Sequence, residues 1–404
     1  MTIMSPVENQ PESTHNPEID MPKTLNVGMI GYKFMGRAHS NAWMKAPKFF
    51  DLKAKPIMKV VCGRDKAAVA SMGARWGWER FETNWREVVE DSMIDIVDIN
   101  APNNVHAEIA IAAAKAGKAI FCEKPLGMNV KQCKDMVAAV KKAGVTNMIC
   151  YTYRRIPAIA QMKKMIEAGD LGQIYHFRAR YAQDWIVDPK FPLVWRLQSK
   201  IAGYGTHGDI NAHLIDLARH LVGEFKEVSA LMETFIKERP LMASQDGLAA
   251  KASDKLGKVD VDDAVLMIGR FQNGALFNLE STRFALGRKN GIQLEVNGSK
   301  GSLVFDFEDM NRLQYYNNAD PADRKGFRSI IINEGGGVHP YAGAWWPPGH
   351  IIGYEHVFVH AVVDFVNAVA DKKQVKPDFE DGLQNHLVLE AAEESAKTRQ
   401  WVKV

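Results

Sequence analysis

Apolar and polar positions follow two different rhythms along this chain. Up to about Cys150, short apolar runs alternate with segments whose apolar residues recur at helical spacing. Leu25–Ile30, Ile57–Cys62, Ile94–Ile99, Ala119–Cys122 and Met148–Thr152 read as strands. Met35–Met44, Lys66–Trp76, Val105–Ala116 and Val130–Ala143 read as the helices between them. The last two run into Gly117 and Gly144, the residue type that closes a helix in a left-handed conformation. Strands alternating with helices predict a doubly wound parallel sheet, because parallel neighbours need a crossover and a helix is the usual one.

Past Cys150 the rhythm changes. Pro157–Ala168 reads as a helix that stops at Gly169. Ile174–Tyr181 alternates strictly, with Tyr175, Phe177, Ala179 and Tyr181 on one face and His176, Arg178 and Arg180 on the other, as in a half-buried strand. Thr206–Leu221 is predicted helical and ends at Gly223. Ala264–Phe271, Leu276–Arg283, Ile292–Asn297 and Ser302–Phe305 read as strands separated by Asn-Gly and Gly-Ser turns, with Asn273-Gly274 marking a hairpin. Asn317–Lys325 and Gly335–Pro348 read as loops, and helices near Glu355–Ala370 and Gly382–Thr398 close the chain. The expected organisation is a tail over 1–23, an α/β domain with a doubly wound parallel sheet over 24–150, and an α+β domain with a large, mainly antiparallel sheet over 151–404.

Composition narrows the function more than the fold. The 404 residues exceed one typical core, which agrees with two domains. Basic and acidic residues number 51 and 48, so the net charge of +3 gives no support to a nucleic acid or an anionic membrane as partner. No apolar run is long enough to span a bilayer. Met1–Lys23 is polar and lacks the basic-then-apolar pattern of a secretory signal, so it is expected to be a disordered or loosely draped tail. Cys62, Cys122, Cys133 and Cys150 form no CxxC pair and no His/Cys metal spacing. A reduced, cytoplasmic protein without a metal is the expectation.

Three segments carry candidate chemistry. The first, Gly31-Tyr32-Lys33-Phe34-Met35-Gly36, follows a strand and opens a helix, as a dinucleotide-binding turn does. Gly31 suits the tight turn and Gly36 the close helix-on-strand packing, but Lys33 stands where backbone normally approaches phosphate. Its ammonium could pair with phosphate, or the loop could be displaced. Arg64 and Asp65 at the end of the second strand are the candidates to choose between NAD and NADP; Asp65 favours NAD without excluding NADP. The second segment comprises Asn100, Pro102, Asn103 and His106 together with Glu123-Lys124-Pro125, at the carboxyl edge of the sheet, where ligands bind. By position alone, Lys124 is either a surface charge or a buried functional amine. The third is the helix after Gly203-Tyr204-Gly205, where Asp209, His213, Asp216 and His220 fall in one stripe. Residues four apart meet on a helix, so Asp209 can orient His213 as a general base; a solvated face with a salt bridge has the same spacing.

Together these pieces resemble the glucose–fructose oxidoreductase/inositol dehydrogenase (Gfo/Idh/MocA) family. The marks are the glycine turn running into Met35-Gly36-Arg37-Ala38-His39-Ser40, then Glu123-Lys124-Pro125, then Gly203-Tyr204-Gly205 with Asp209-Ile210-Asn211-Ala212-His213-Leu214-Ile215-Asp216. The resemblance implies a Rossmann domain holding a nicotinamide cofactor, with tight retention one option. It implies Lys124, Asp209 and His213 as catalytic residues, with His213 taking the hydroxyl proton and Lys124 bonding the same oxygen. It places Gly31, Lys33, Phe34, Met35, Gly36, Glu123, Lys124, Trp195, Arg196 and Tyr354 against the cofactor. The substrate class it suggests is a sugar, polyol, glycoside or anhydrosugar oxidised at a ring hydroxyl, carbon 3 being one candidate. Tyr153, Arg154, Asp184, Trp185, Asn211 and His350, with Lys124 and His213, are the candidate substrate contacts. Alternatives within the same resemblance are a redox-neutral glycosidase that retains NAD, an oxidoreductase that recycles bound cofactor between two sugars, and a ligand-sensing regulator. A homo-oligomer, dimer or tetramer, is also implied.

Overall fold

The computed structural model describes residues 23–246 and 249–404, so the tail expected over 1–23 lies outside it except for Lys23. The first domain is a six-stranded parallel sheet. Its strands are β1 (Thr24–Ile30), β2 (Lys55–Cys62), β3 (Arg80–Glu82), β4 (Ile96–Ile99), β5 (Ala119–Cys122) and β6 (Asn147–Ile149), in the order β3-β2-β1-β4-β5-β6. The crossovers are α1 (Phe34–Phe49), α2 (Lys66–Trp76), α3 (Trp85–Glu90), α4 (His106–Lys115) and α5 (Val130–Ala143). Every residue of β4 and β5 is buried, as in a parallel strand covered on both faces. The edge strand β3 has no buried residue and spans three positions. It therefore leaves no apolar run to read in the sequence.

The second domain begins with α6 (Pro157–Glu167), β7 (Ile174–Ala182), the single turn α7 (Ser199–Ala202) and α8 (Ala212–Leu221). It continues with β8 (Phe225–Glu233), β9 (Glu238–Asp246), β10 (Ala249–Lys258), β11 (Ala264–Phe271), β12 (Leu276–Thr282), β13 (Gly291–Gly298), β14 (Gly301–Asp306), β15 (Arg312–Asn317) and β16 (Arg328–Ile331). Helices α9 (Tyr354–Ala370) and α10 (Phe379–Thr398) and the short β17 (Val402–Lys403) end the chain. Nine strands form one sheet in the order β16-β15-β14-β13-β7-β12-β11-β8-β17, and β9 pairs with β10 in a separate ribbon. The sheet is antiparallel except where β12 runs parallel to β7. On β7 the buried residues of the alternating face are Phe177, Ala179 and Tyr181, while Tyr175 is exposed at the strand's start.

Helices α6, α8 and α10 cover one face of this sheet. The other face is open and carries Leu231, Leu266, Ile268 and Leu276. Helix α9 packs back on α1, and α10 on α5, so one continuous apolar core joins both sheets. Among the described residues, no helix is long and apolar enough to cross a membrane.

Candidate active site

The carboxyl edge of the first sheet sets the site. After β1, Gly31 adopts φ 111°, and a Cβ there would lie 2.4 Å from the Asn100 carbonyl. A Cβ on Gly36 would lie 2.4 Å from the Gly31 oxygen. Only glycine fits either position, which is how this turn brings the start of α1 up to a ligand. Helices α2 and α5 are capped by Asp65 and Asn129, whereas no side chain caps α1. Its opening N–H groups are thus left without a side-chain partner beside the exposed Lys33, an arrangement that fits a pyrophosphate. At the end of β2, the Tyr32 ring lies so close over Gly63 that a Cβ would meet it at 2.1 Å. Asp65 accepts the Ala68 N–H at 3.0 Å through one carboxylate oxygen.

Lys124 follows β5 and reaches across to the second domain. Its Nζ donates to the Asp209 backbone oxygen at 2.5 Å and to Oδ1 at 2.9 Å. The second carboxylate oxygen accepts from Arg283 Nη2 at 2.5 Å. Burial alone would raise the Asp209 carboxyl, but Lys124, Arg283 and Arg196 hold it well below the usual range. The fully buried Arg283 guanidinium also lies 5.3 Å from the Trp185 ring centre.

The helix carrying Asp209 and His213 is not uniform. His207–Asn211 forms a π turn before α8 begins, and its wider turn breaks the four-residue register of an α-helix. The expected orienting bond is therefore not made: Asp209 faces Lys124 and Arg283, and no hydrogen bond joins it to His213. His213 instead sits among rings, 4.4 Å from Tyr153 and about 6 Å from Tyr151 and Tyr181 between centres. Its Nδ1 is buried without a partner among the described residues. Burial and the Lys124 charge push its pKa well below the usual value, against a smaller upward pull from Asp209. At neutral pH the ring is uncharged and can accept a proton.

Two family models cover this chain in order. Residues 25–151 match an oxidoreductase family with an NAD-binding Rossmann fold, and 159–304 match a Gfo/Idh/MocA C-terminal domain. The levoglucosan dehydrogenase of Pseudarthrobacter phenanthrenivorans is 45% identical over 95% of this chain and 98% of that enzyme. The chain belongs to the Gfo/Idh/MocA oxidoreductase family. Levoglucosan dehydrogenase solved with NADH and levoglucosan superposes with a TM-score of 0.89, at 45% identity over 95% of this chain and 99% of that one. An oxidoreductase domain protein from Kribbella flavida, 48% identical over 95% of this chain and 99% of its own, gives the same score.

The first domain brings Gly31, Phe34, Met35, Gly36, Glu123 and Lys124 to one sheet edge, and Lys124 bonds Asp209 of the second domain there. Other candidates have their polar groups engaged. Arg154 is tied to Asp216 by bonds of 2.8 and 2.6 Å and to Asp381 at 3.4 Å, so its donors brace α8. Asn211 is fully buried, with Oδ1 accepting from Ser281 and Nδ2 against His207. Asn100 bonds Asp98 and Asn103 bonds the Ala202 carbonyl. His106 spans the carbonyls of Pro125 and Ala101 at 2.9 and 2.8 Å, fastening two turns of the sheet edge together. Asp184 accepts from Gly287 N and Lys289 Nζ. Arg196 stacks on Trp195 at 4.4 Å, and Tyr354 opens α9 beside Phe307. His350 lies in an exposed turn with Nδ1 2.9 Å from the Pro347 carbonyl.

Several residues at this candidate site are not legible as such in the sequence. Arg283 reads in sequence as the last residue of a strand. Tyr181 reads as one apolar-face residue among four, yet its hydroxyl lies 3.1 Å from that of Tyr153 and donates to Asn290 at 2.7 Å. His39 reads in sequence only as part of the segment that follows the glycine turn. It is fully buried, with Nδ1 3.0 Å from Asp98 and Nε2 3.0 Å from Glu123.

Proposed function

We propose that this protein oxidises a ring hydroxyl of a sugar, anhydrosugar or glycoside, carbon 3 being one candidate position, and passes the hydride to NAD. The observation that carries it is the neutral, buried His213 facing the Lys124–Asp209 ion pair at the sheet edge. Bound NAD supplies the hydride acceptor. Lys124 donates a hydrogen bond to the oxygen of the reacting hydroxyl and stabilises negative charge as it develops. His213 accepts the hydroxyl proton, and its low basicity in the ground state is offset as charge builds on the oxygen. Asp209 keeps the ammonium aimed by holding it at two oxygens, and Arg283 keeps Asp209 ionised. Tyr153, with Tyr181 and Trp185, offers flat faces for the apolar side of a sugar ring.

Lys33 at the head of α1 supports tight cofactor retention, which mass spectrometry of the nucleotide released from purified protein would test. The open apolar sheet face supports a homo-oligomer, and a cytoplasmic setting fits the reduced cysteines. Purified protein is to be incubated with NAD+ and a sugar panel headed by levoglucosan. Reduced cofactor should form with at least one sugar, and be abolished by Lys124→Met. Absence of reduction with every sugar, free or on bound cofactor, would sink the reading.

A further inference from the structure

A chain of alternating charges runs beneath Lys124. Asp98, inside β4, accepts from Trp43 Nε1 at 2.7 Å and Asn100 Nδ2 at 2.9 Å. Its carboxylate lies 3.0 Å from His39 Nδ1, and His39 Nε2 lies 3.0 Å from Glu123 Oε1. The second oxygen of Glu123 accepts the Lys124 backbone N–H at 3.0 Å. The His39 ring is clamped between Phe121 and Phe358, and its side chain and that of Asp98 have no exposure at all. With a carboxylate oxygen 3.0 Å from each ring nitrogen, the doubly protonated imidazolium is the form that donates to both buried carboxylates at once.

We propose that His39 is a positioning residue for Lys124: an imidazolium clasped between Asp98 and Glu123, it fixes the carboxylate that fixes the Lys124 main chain. The account rests on Lys124 acting as proposed above, but its geometry stands without that reading. Burial would lower the imidazole's pKa, yet the Asp98 carboxylate overcomes this and raises it well above the usual value. Burial would likewise raise Glu123, and His39 and Lys124 reverse it. The other titratable groups facing this relay are the thiols of Cys122 and Cys150, both pushed up by burial, with Tyr153, Tyr354, His106 and Arg196. Of these only Arg196 is a cation, and it makes no hydrogen bond to Asp98 or Glu123, whereas the His39 ring reaches both. Cys150 Sγ is 3.5 Å from His39 Nε2, which makes a metal-like donor set with Glu123. Both ring nitrogens already face carboxylates, so the set forms an ion-pair relay among its own members.

The charge arithmetic gives a test that a merely structural role would not mimic. Asp98, His39 and Glu123 sum to −1; His39→Gln makes the sum −2, and adding Asp98→Asn restores −1. In His39→Gln, kcat should fall about 10- to 100-fold from misplacement of Lys124. KM for sugar and NAD+ should change little. The acid limb of kcat/KM should move toward neutrality, because Glu123 without its cation takes up a proton more readily. The His39→Gln/Asp98→Asn double variant should recover part of both losses. Unchanged kinetics in His39→Gln, or a double variant worse than the single, overturns the proposal.

Two readouts need no substrate. Nitrogen NMR of the histidine-labelled full-length protein should show one imidazolium persisting through neutral pH and missing in His39→Gln. Hydrogen exchange at the Lys124 amide should quicken in that variant. A neutral His39 at pH 7, or an unchanged Lys124 amide, refutes the relay even if no sugar is ever turned over. If His39→Gln does not fold, Asp98→Asn alone should lose the persistent imidazolium and lower kcat toward alkaline pH. A wild-type profile in Asp98→Asn would also refute the relay.

Discussion

Replacing Asp209 by Asn separates the structural from the chemical work of the site. The carboxylate holds Lys124 at 2.9 Å and Arg283 at 2.5 Å. At an effective dielectric of about 20, a pair at that first distance attracts by roughly 5–6 kcal/mol before desolvation is counted. Removing one member of a buried pair costs about 3–5 kcal/mol, because the remaining charge is left uncompensated. The Arg283 side chain is fully buried but that of Asp209 is 27% exposed, so solvent screening places the loss at about 2–3 kcal/mol. The ammonium of Lys124 keeps the backbone oxygen of residue 209 but loses its charged partner, and a displacement of about 1 Å corresponds to roughly 100-fold in kcat, or about 2.7 kcal/mol. Urea unfolding reports the first quantity and steady-state NADH formation the second. In the double variant Asp209→Asn/Arg283→Met, the fully buried Arg283 charge is no longer left without its carboxylate, so at least about 1 kcal/mol of stability should return. The kcat should stay low, since nothing re-anchors Lys124. An Asp209→Asn protein of wild-type stability and rate, or a double variant that regains rate along with stability, would refute this reasoning.

Gly36→Ala places a Cβ 2.4 Å from the Gly31 oxygen, so NADH should bind about tenfold more weakly or worse, a shift of about 1.4 kcal/mol being enough. Fluorescence titration of NADH measures it. Lys33→Ala should weaken NADH about three- to tenfold at low salt, with the difference shrinking as salt screens the phosphate contact. The fully buried His207, His360 and His386 have pKa values lowered by burial to about 4, 3 and 3. Each binds a proton more readily unfolded than folded, so stability should fall as pH drops below about 6.5, by up to roughly 1.4 kcal/mol per unit for each. His39 has the opposite sign, since its contribution is present at low pH and lost as pH rises through its raised value. Denaturation midpoints between neutral and acid pH check the balance; a midpoint that rises on acidification contradicts it.

What the sequence reveals follows from how local each signal is. Buried parallel strands and amphipathic helices announce themselves, so β1, β2, β4, β5 and their helices are legible from periodicity. The short, half-exposed β3, and β15 and β16 at the sheet's edge, lack that contrast. The parallel pairing of β12 with β7 joins segments about a hundred residues apart, and nothing local encodes it. The same limit applies to the site. Glu123-Lys124-Pro125 is visible because it ends a strand, and His213 because it sits on a patterned helix. The π turn that rotates Asp209 away from His213 has no residue signature, so the expected Asp–His pair gives way to an Asp–Lys–Arg cluster. Arg283 and His39 acquire meaning only when the two domains and the sheet interior are assembled around them.

The central claim is that a ring hydroxyl of a sugar loses hydride to NAD+ at Lys124 and His213. Levoglucosan deuterated on its ring carbons, incubated with NAD+ and the purified protein, tests it in one measurement. Mass spectrometry should find a single deuterium in the reduced cofactor and one ketone in the sugar, both missing with Lys124→Met. Reduced cofactor without deuterium, or none on free or retained NAD, would contradict the account.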